Sequence, residues 1–257
     1  MAIHESAIID SGAEIDGNAE IGPFCIIGSG VTIAGGVKLQ SNVVIEGNTE
    51  IGEGTQIYPF ASIGLPPQDT KYKGEDSGLR IGSNNVIREY VTVHRASVGG
   101  DGLTELGDNC FIMAYAHIAH DCKIRSNVIM ANAATIAGHV SIGNHSVLGG
   151  LVAVHQFTRI GDYSMVGGLS GIGQDIPPYM IASGPRAKLF GLNVVGLKRH
   201  GFSEEAISEL KKAYKILFRE KNTLKQAIKK VQEELPFTDE IQHLIDFINQ
   251  NKRGICR

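Results

Sequence analysis

Ile118-Ala119-His120-Asp121-Cys122-Lys123-Ile124-Arg125-Ser126-Asn127-Val128-Ile129-Met130-Ala131-Asn132-Ala133-Ala134-Thr135-Ile136-Ala137-Gly138-His139-Val140-Ser141-Ile142 places an aliphatic side chain at every sixth position. Outward from this stretch, the same period runs from Ile9 through Ile15, Ile21 and Ile27 to Ile63, returns at Ile81, Ile87 and Val93, and holds from Leu106 to Ile172. Four residues after almost every aliphatic stands a small or β-branched residue, such as Ala19, Cys25, Val31, Ala116, Val128 or Val140. Period six is neither the 3.6 of a helix nor strict alternation. It predicts a mainly β chain, a hexapeptide-repeat parallel β-helix in which each hexad forms a short strand and a corner.

Composition is consistent with a narrow solenoid. Aromatic residues make up 6% of the 257 and Trp is absent, while 42% are hydrophobic. A formal charge of −3 carries no basic surplus and argues against nucleic-acid binding. Cys25, Cys110 and Cys122 fall at the small-residue slot and read as core fillers, not as disulfide or metal ligands. The start, Met1-Ala2-Ile3-His4-Glu5, lacks signal-peptide character, and no apolar run is long enough to span a bilayer. The expectation is a cytoplasmic protein.

The repeat breaks twice. Over residues 65–80 the period would demand aliphatics where Asp69 and Glu75 stand, and residues 99–105 are Gly-rich and shift the register. Both are read as loops leaving the solenoid, and such loops collect on the functional side. Pro177-Pro178 should end the ladder, since proline has no N–H to donate. After residue 190 the pattern turns helical. Ser203, Thr223 (with Gln226) and Thr238 read as N-caps of three helices, giving a body at 1–190 and a helical subdomain at 191–257.

If three hexads close one triangular coil, the hexads starting at Val93, Ile118, Ile136 and Val154 share a face. Each carries a histidine, namely His94, His120, His139 and His155, with His117 at the corner entering that face. Both loops leave from it too. Coils stack about 4.8 Å apart, so His120 and His139 should be neighbours. His145 lies on another face, and His4, His200 and His243 lie outside the group. Asp121 beside His120 would orient the ring and stabilise its protonated form, and Gly138 offers a backbone N–H that a ligand can approach closely. A base with its carboxylate, facing a backbone donor, suits acyl transfer. Zinc binding by neutral imidazoles is the competing chemistry.

Four stretches carry a resemblance: His117-Ile118-Ala119-His120-Asp121-Cys122, Asn132 through Val140, Ala153-Val154-His155-Gln156-Phe157, and Gly191 through Ser203 with Gly196-Leu197-Lys198-Arg199-His200-Gly201. Together they resemble the UDP-N-acetylglucosamine 3-O-acyltransferases that open lipid A biosynthesis, over nearly the whole chain. The resemblance implies a left-handed β-helix and a cytoplasmic homotrimer with active sites between subunits. It implies no metal or cofactor, and transfer of a (3R)-hydroxyacyl chain from acyl carrier protein to the 3-hydroxyl of UDP-N-acetylglucosamine. Carried over by position, His120 is the general base supported by Asp121, and Gly138 is the oxyanion donor. His94, His117, His139, His155 and Gln156 belong to the substrate cleft. Gln68, Asp69 and Lys71 meet sugar and phosphate, and Asn193, Arg199 and His200 meet the uridine diphosphate from a neighbouring subunit.

Val195 and His200 depart from the family's usual acidic residue and second arginine, which makes the phosphate contact of His200 weaker and pH-dependent. Gly168 matches the position that limits acyl length, and a glycine there leaves room for a longer chain. Two alternatives stand beside this reading. The related N-acyltransferase usually carries an extra N-terminal domain, whereas here the period starts almost at Met1. A hexapeptide-repeat zinc carbonic anhydrase would use His94, His117 and His120, but the expected five-residue separation between two ligands is absent.

Overall fold

The computed structural model describes residues 2–257. Among these, short strands stack into three sheets of eleven, nine and eight, each taking every third strand of the chain until the last two strands, Met180–Ser183 and Lys188–Leu192, both join the first sheet. Ile118 pairs in parallel with Ile136, and Ile136 with Val154, so one coil consumes eighteen residues. The body is a left-handed parallel β-helix. Its interior is the column read from the period: Ile27, Ile45, Ile63, Ile87, Ile112, Ile118, Met130 and Ile136 are each wholly buried. Cys25, Cys110 and Cys122 sit in the same column, and burial pushes the thiols of Cys110 and Cys122 up to about 11 and about 12.

From Phe24 onward most corners are made by the residue just before the small inward one, in the left-handed backbone region. Phe60, Tyr90 and Tyr115 turn the first corner, Asp121, His139 and Phe157 the second, and Asn127, His145 and Tyr163 the third. For a non-glycine residue this conformation costs about 1–2 kcal/mol. Side-chain stacking along the corners offsets part of the cost: Phe60 lies 5.0 Å from Tyr90 and Tyr90 4.9 Å from Tyr115, ring planes nearly parallel.

The loops are placed differently from the sequence reading. Strand Ser62–Leu65 continues the second sheet and strand Gly78–Ile81 resumes the third, so the first excursion is residues 66–77, not 65–80. Strands Thr92–His94 and Leu103–Leu106 likewise bound the second at 95–102, not 99–105. Period alone sees only inward side chains; ladder pairing carries strand structure through residue 65 and resumes it at 78 and 103, but stops it at His94, before the hexad of Val93 is complete. Both excursions leave the second sheet for the third. The prolines do not end the ladder either: strand Met180–Ser183 adds one more parallel rung on Met165–Val166, then pairs antiparallel with Lys188–Leu192.

Four helices follow: α1 Val194–Arg199, α2 Glu204–Phe218, α3 Leu224–Glu234 and α4 Asp239–Asn249. Ser203, Thr223 and Thr238 cap α2, α3 and α4, and Thr223 forms a full capping box with Gln226; the short α1 gave no periodic signal. Two polar ties fasten α4 to the solenoid. Arg159 donates to Asp175 (2.8 Å) and to the Phe247 carbonyl (2.8 Å), and His243 Nε2 lies 2.7 Å from Asp162 Oδ2. No helix among the described residues is long and apolar enough to cross a membrane.

Ile136→Asp should abolish the cooperative fold, since an unpaired carboxylate would enter a column without water. Circular dichroism melting of the purified variant checks this; a native-like transition would contradict the column.

Candidate active site

The second sheet gathers the histidines. Strands Thr92–His94, His117–Ile118, Thr135–Ile136 and Ala153–Val154 are successive rungs of it, with Thr92 opposite His117. His120 and Asp121 form the corner after one rung, and Gly138 and His139 the corner after the next. The rings of His120 and His139 meet edge-on at 5.3 Å, and His139 stacks on Phe157 at 4.5 Å.

The second partner of each ring sets what it can do. His120 Nδ1–H donates to Asp121 Oδ2 at 2.7 Å, which leaves Nε2 as the acceptor beside Gly138. Asp121 is 5% exposed; its Oδ2 also accepts from the Ser97 N–H (3.0 Å), and its own N–H donates to Thr104 Oγ1 (2.8 Å). Gly138 lies against the base. A Cβ there would stand 2.5 Å from His120 Cε1, so no other residue fits. The Gly138 N–H has no acceptor among the described residues, although the residue is buried. The N–H groups at the equivalent corner positions His120, Asn132 and Gly150 are likewise unpaired among the described residues, so it is the place of this one beside His120 that makes it available to a reacting group.

His117 is a different kind of imidazole. Burial, then the neighbouring His94 and His120, push it down to about 4. Its Nδ1 lies 2.7 Å from the Thr92 hydroxyl, which has no other acceptor among the described residues. The Thr92 hydroxyl is placed to donate to Nδ1, an arrangement that puts the His117 proton on Nε2. His94, at 7% exposure, is committed to the first loop: Nδ1–H donates to the Pro66 carbonyl (2.7 Å), and Gln68 Nε2 approaches its Nε2 at 3.5 Å. These contacts tie the first loop to the second sheet.

That loop brings Gln68, Asp69 and Lys71 over the site. Asp69 accepts from the Lys71 N–H (3.0 Å) and the Ser97 hydroxyl (2.8 Å), and these two bonds hold its carboxyl below the usual carboxylate range. Arg95 reaches Tyr72 in the same loop through Nη2 (3.2 Å). His155 and Gln156 are exposed one coil beyond His139, and His155 lines a hollow of 460 Å³ with Gly173, Pro185 and Arg186. On the other side of His139, Phe157, Arg159, Lys252 and Arg253 line a larger hollow of 770 Å³. Gly168 packs over Gly150, beside the exposed Leu169.

The α1 region does not join this group within one chain. Asn193 is 7% exposed and spent on capping: Oδ1 accepts from Gly196 and Nδ2 donates to the Tyr163 carbonyl. Arg199 and His200 are exposed, and His200 leans on His145 (4.5 Å between centroids) at the third corner. For a metal, one donor set emerges among the described residues, His120, Asp121 and His139, whose ligand atoms lie within 4.8 Å of one another. The His94, His117, His120 set considered for zinc is not among the converging donor groups of the described residues. Sequence reading missed Thr92, Ser97 and Thr104; Ser97 lies in the second loop and Thr104 just after it, where the period is silent.

Two family descriptions match. One, a bacterial transferase hexapeptide of six repeats, covers residues 2–35 and 104–138, and the other, UDP N-acetylglucosamine O-acyltransferase domain 2, covers 175–256. The acyl-[acyl-carrier-protein]–UDP-N-acetylglucosamine O-acyltransferase of Thermodesulfovibrio yellowstonii is 66% identical over 206 residues, 80% of each chain. This chain belongs to that family. The same-named enzyme of Syntrophobacter fumaroxidans is 48% identical across 100% of both chains. Among solved structures, LpxA from Acinetobacter baumannii superposes with a TM-score of 0.97 at 47% identity, covering 100% of both chains.

Two measurements probe this geometry. Imidazole 15N NMR should show His117 neutral with Nε2 protonated from about pH 6 to 8, titrating only near about 4. An unfolded histidine titrates near ~6.5, so this group contributes stability above that pH and loses it as pH falls toward about 4. A Gly138→Ala crystal structure should show the His120 ring driven off Asp121, and an unmoved ring would contradict the close approach.

Proposed function

We propose that the protein transfers a (3R)-hydroxyacyl chain from acyl carrier protein to the 3-hydroxyl of UDP-N-acetylglucosamine, at the first step of lipid A biosynthesis. The observation that carries the chemistry is the His120–Asp121 pair set against Gly138. His120 Nε2 takes the proton of the 3-hydroxyl as its oxygen attacks the thioester carbon. The Gly138 N–H receives the negative charge that develops on the thioester oxygen. Asp121 stabilises the imidazolium, which is why a carboxylate and not a hydroxyl stands behind this ring. Collapse breaks the carbon–sulfur bond, and the departing thiolate takes the proton back from His120. The atoms balance and no metal or cofactor enters the cycle.

Gln68, Asp69 and Lys71 approach the sugar and its phosphates from the loop, while His117, with its fixed Nε2–H, and His139, His155 and Gln156 line the cleft. Thr92 and His94 act behind them. Arg199 and His200 reach the diphosphate of a neighbouring site, and Asn193 positions them as the cap of α1. This division requires a second copy, and a homotrimer is the assembly we infer. Phe24, Phe60, Tyr90, Tyr115, Leu151 and Leu169, all exposed along the first corner, supply an apolar ridge for that contact. A cytoplasmic location follows from substrates of this kind.

His120→Ala should keep the fold and lose about a hundredfold or more of kcat, the usual scale for a general base. Wild-type kcat in that variant would refute the assignment. With a mixed pool of acyl carriers of different length, the absence of a side chain at Gly168 should favour the longer chains; mass spectrometry of the acylated sugar nucleotide reads this, and a strong short-chain preference would count against it.

A further inference from the structure

Ser97 touches both halves of the site. Its backbone N–H donates to Asp121 Oδ2 at 3.0 Å, and its hydroxyl donates to Asp69 Oδ2 at 2.8 Å. Asp121 orients the base, and Asp69 belongs to the loop that carries Gln68 and Lys71. Two carboxylates are therefore bridged by one residue that is 4% exposed and sits in the second excursion, 95–102, where it makes no contribution to the aliphatic column. The remaining bonds of that segment point the same way. His94 holds Pro66, Arg95 holds Tyr72, and both partners lie in the first loop.

We propose that Ser97 is a positioning residue that fixes the substrate loop in register with the His120–Asp121 base. The proposal rests on the acyltransferase reading above. Removing the hydroxyl leaves the backbone N–H on Asp121 intact, so the base stays oriented while Asp69 loses its anchor. The base therefore works normally once substrate is in place, and the penalty falls on engaging the sugar nucleotide. A serine that merely stabilised the fold would instead lower the melting temperature and affect both kinetic parameters alike.

The test is steady-state acyl transfer by the full-length protein with UDP-N-acetylglucosamine and acylated carrier protein, for wild type, Ser97→Ala, Ser97→Thr, Asp69→Ala and the Ser97→Ala/Asp69→Ala double variant. A hydrogen bond to a charged group suggests that Ser97→Ala raises KM for the sugar nucleotide about tenfold or more, with kcat within about threefold of wild type. Ser97→Thr should restore KM, and the double variant should be no worse than Asp69→Ala, because both remove one interaction. If alanine unfolds the loop, threonine against valine at position 97 gives the same comparison between near-isosteres. Unchanged KM, or penalties that add in the double variant, would overturn the proposal while leaving the reaction intact. A wild-type protein that never acylated the sugar nucleotide would overturn the function as well.

Discussion

Parallel stacking at eighteen residues per coil is the constraint from which everything else follows. A solenoid has no freedom to rearrange its side chains: once the aliphatic column fills, each outward position lies directly over its equivalents in the coils above and below. His120 and Gly138 meet because their corners are adjacent, and a corner residue cannot retreat without breaking ladder bonds on both sides. Rigidity of this kind holds catalytic groups in place without any cost at the moment of reaction. The same constraint makes the left-handed corner conformation tolerable in Asp121, His139 and Phe157, residues that would rarely adopt it alone.

Three imidazoles on one sheet perform three tasks because their far nitrogens meet different partners. A carboxylate behind His120 supports the protonated ring that a base must become. A hydroxyl behind His117 offers no charge, and burial keeps that ring neutral. A backbone carbonyl behind His94 turns a ring into a staple for the loop. The chemistry of the site is therefore written in the residues that stand one layer back.

The fold was almost wholly legible because the inward side chains of a solenoid repeat with fixed spacing, and a hexad count carries that spacing through the sequence. Face assignment followed from the same count, which put His94, His120, His139 and His155 on the second sheet or at the corner that leaves it. The count could not see what the excursions do. Ser97 reaches Asp121 and Asp69 by a fold-back whose spacing has no period, and Thr92 looks like any strand threonine until its rung is paired with His117. Corner geometry was hidden as well. Asn42, Asn84 and Asn127 hint at left-handed backbone, but Phe60, Tyr90 and Leu151 at the same slot conceal it. Asn193, read as a ligand contact, also caps α1, and an N-cap and a binding amide look alike in sequence.

A crystal structure of the protein with UDP-N-acetylglucosamine bound tests the central claim most directly. The account predicts the sugar 3-hydroxyl within about 2.6–3.2 Å of His120 Nε2, on the side where the Gly138 N–H is free. A 3-hydroxyl bound away from His120, with that ring still held by Asp121, would contradict it.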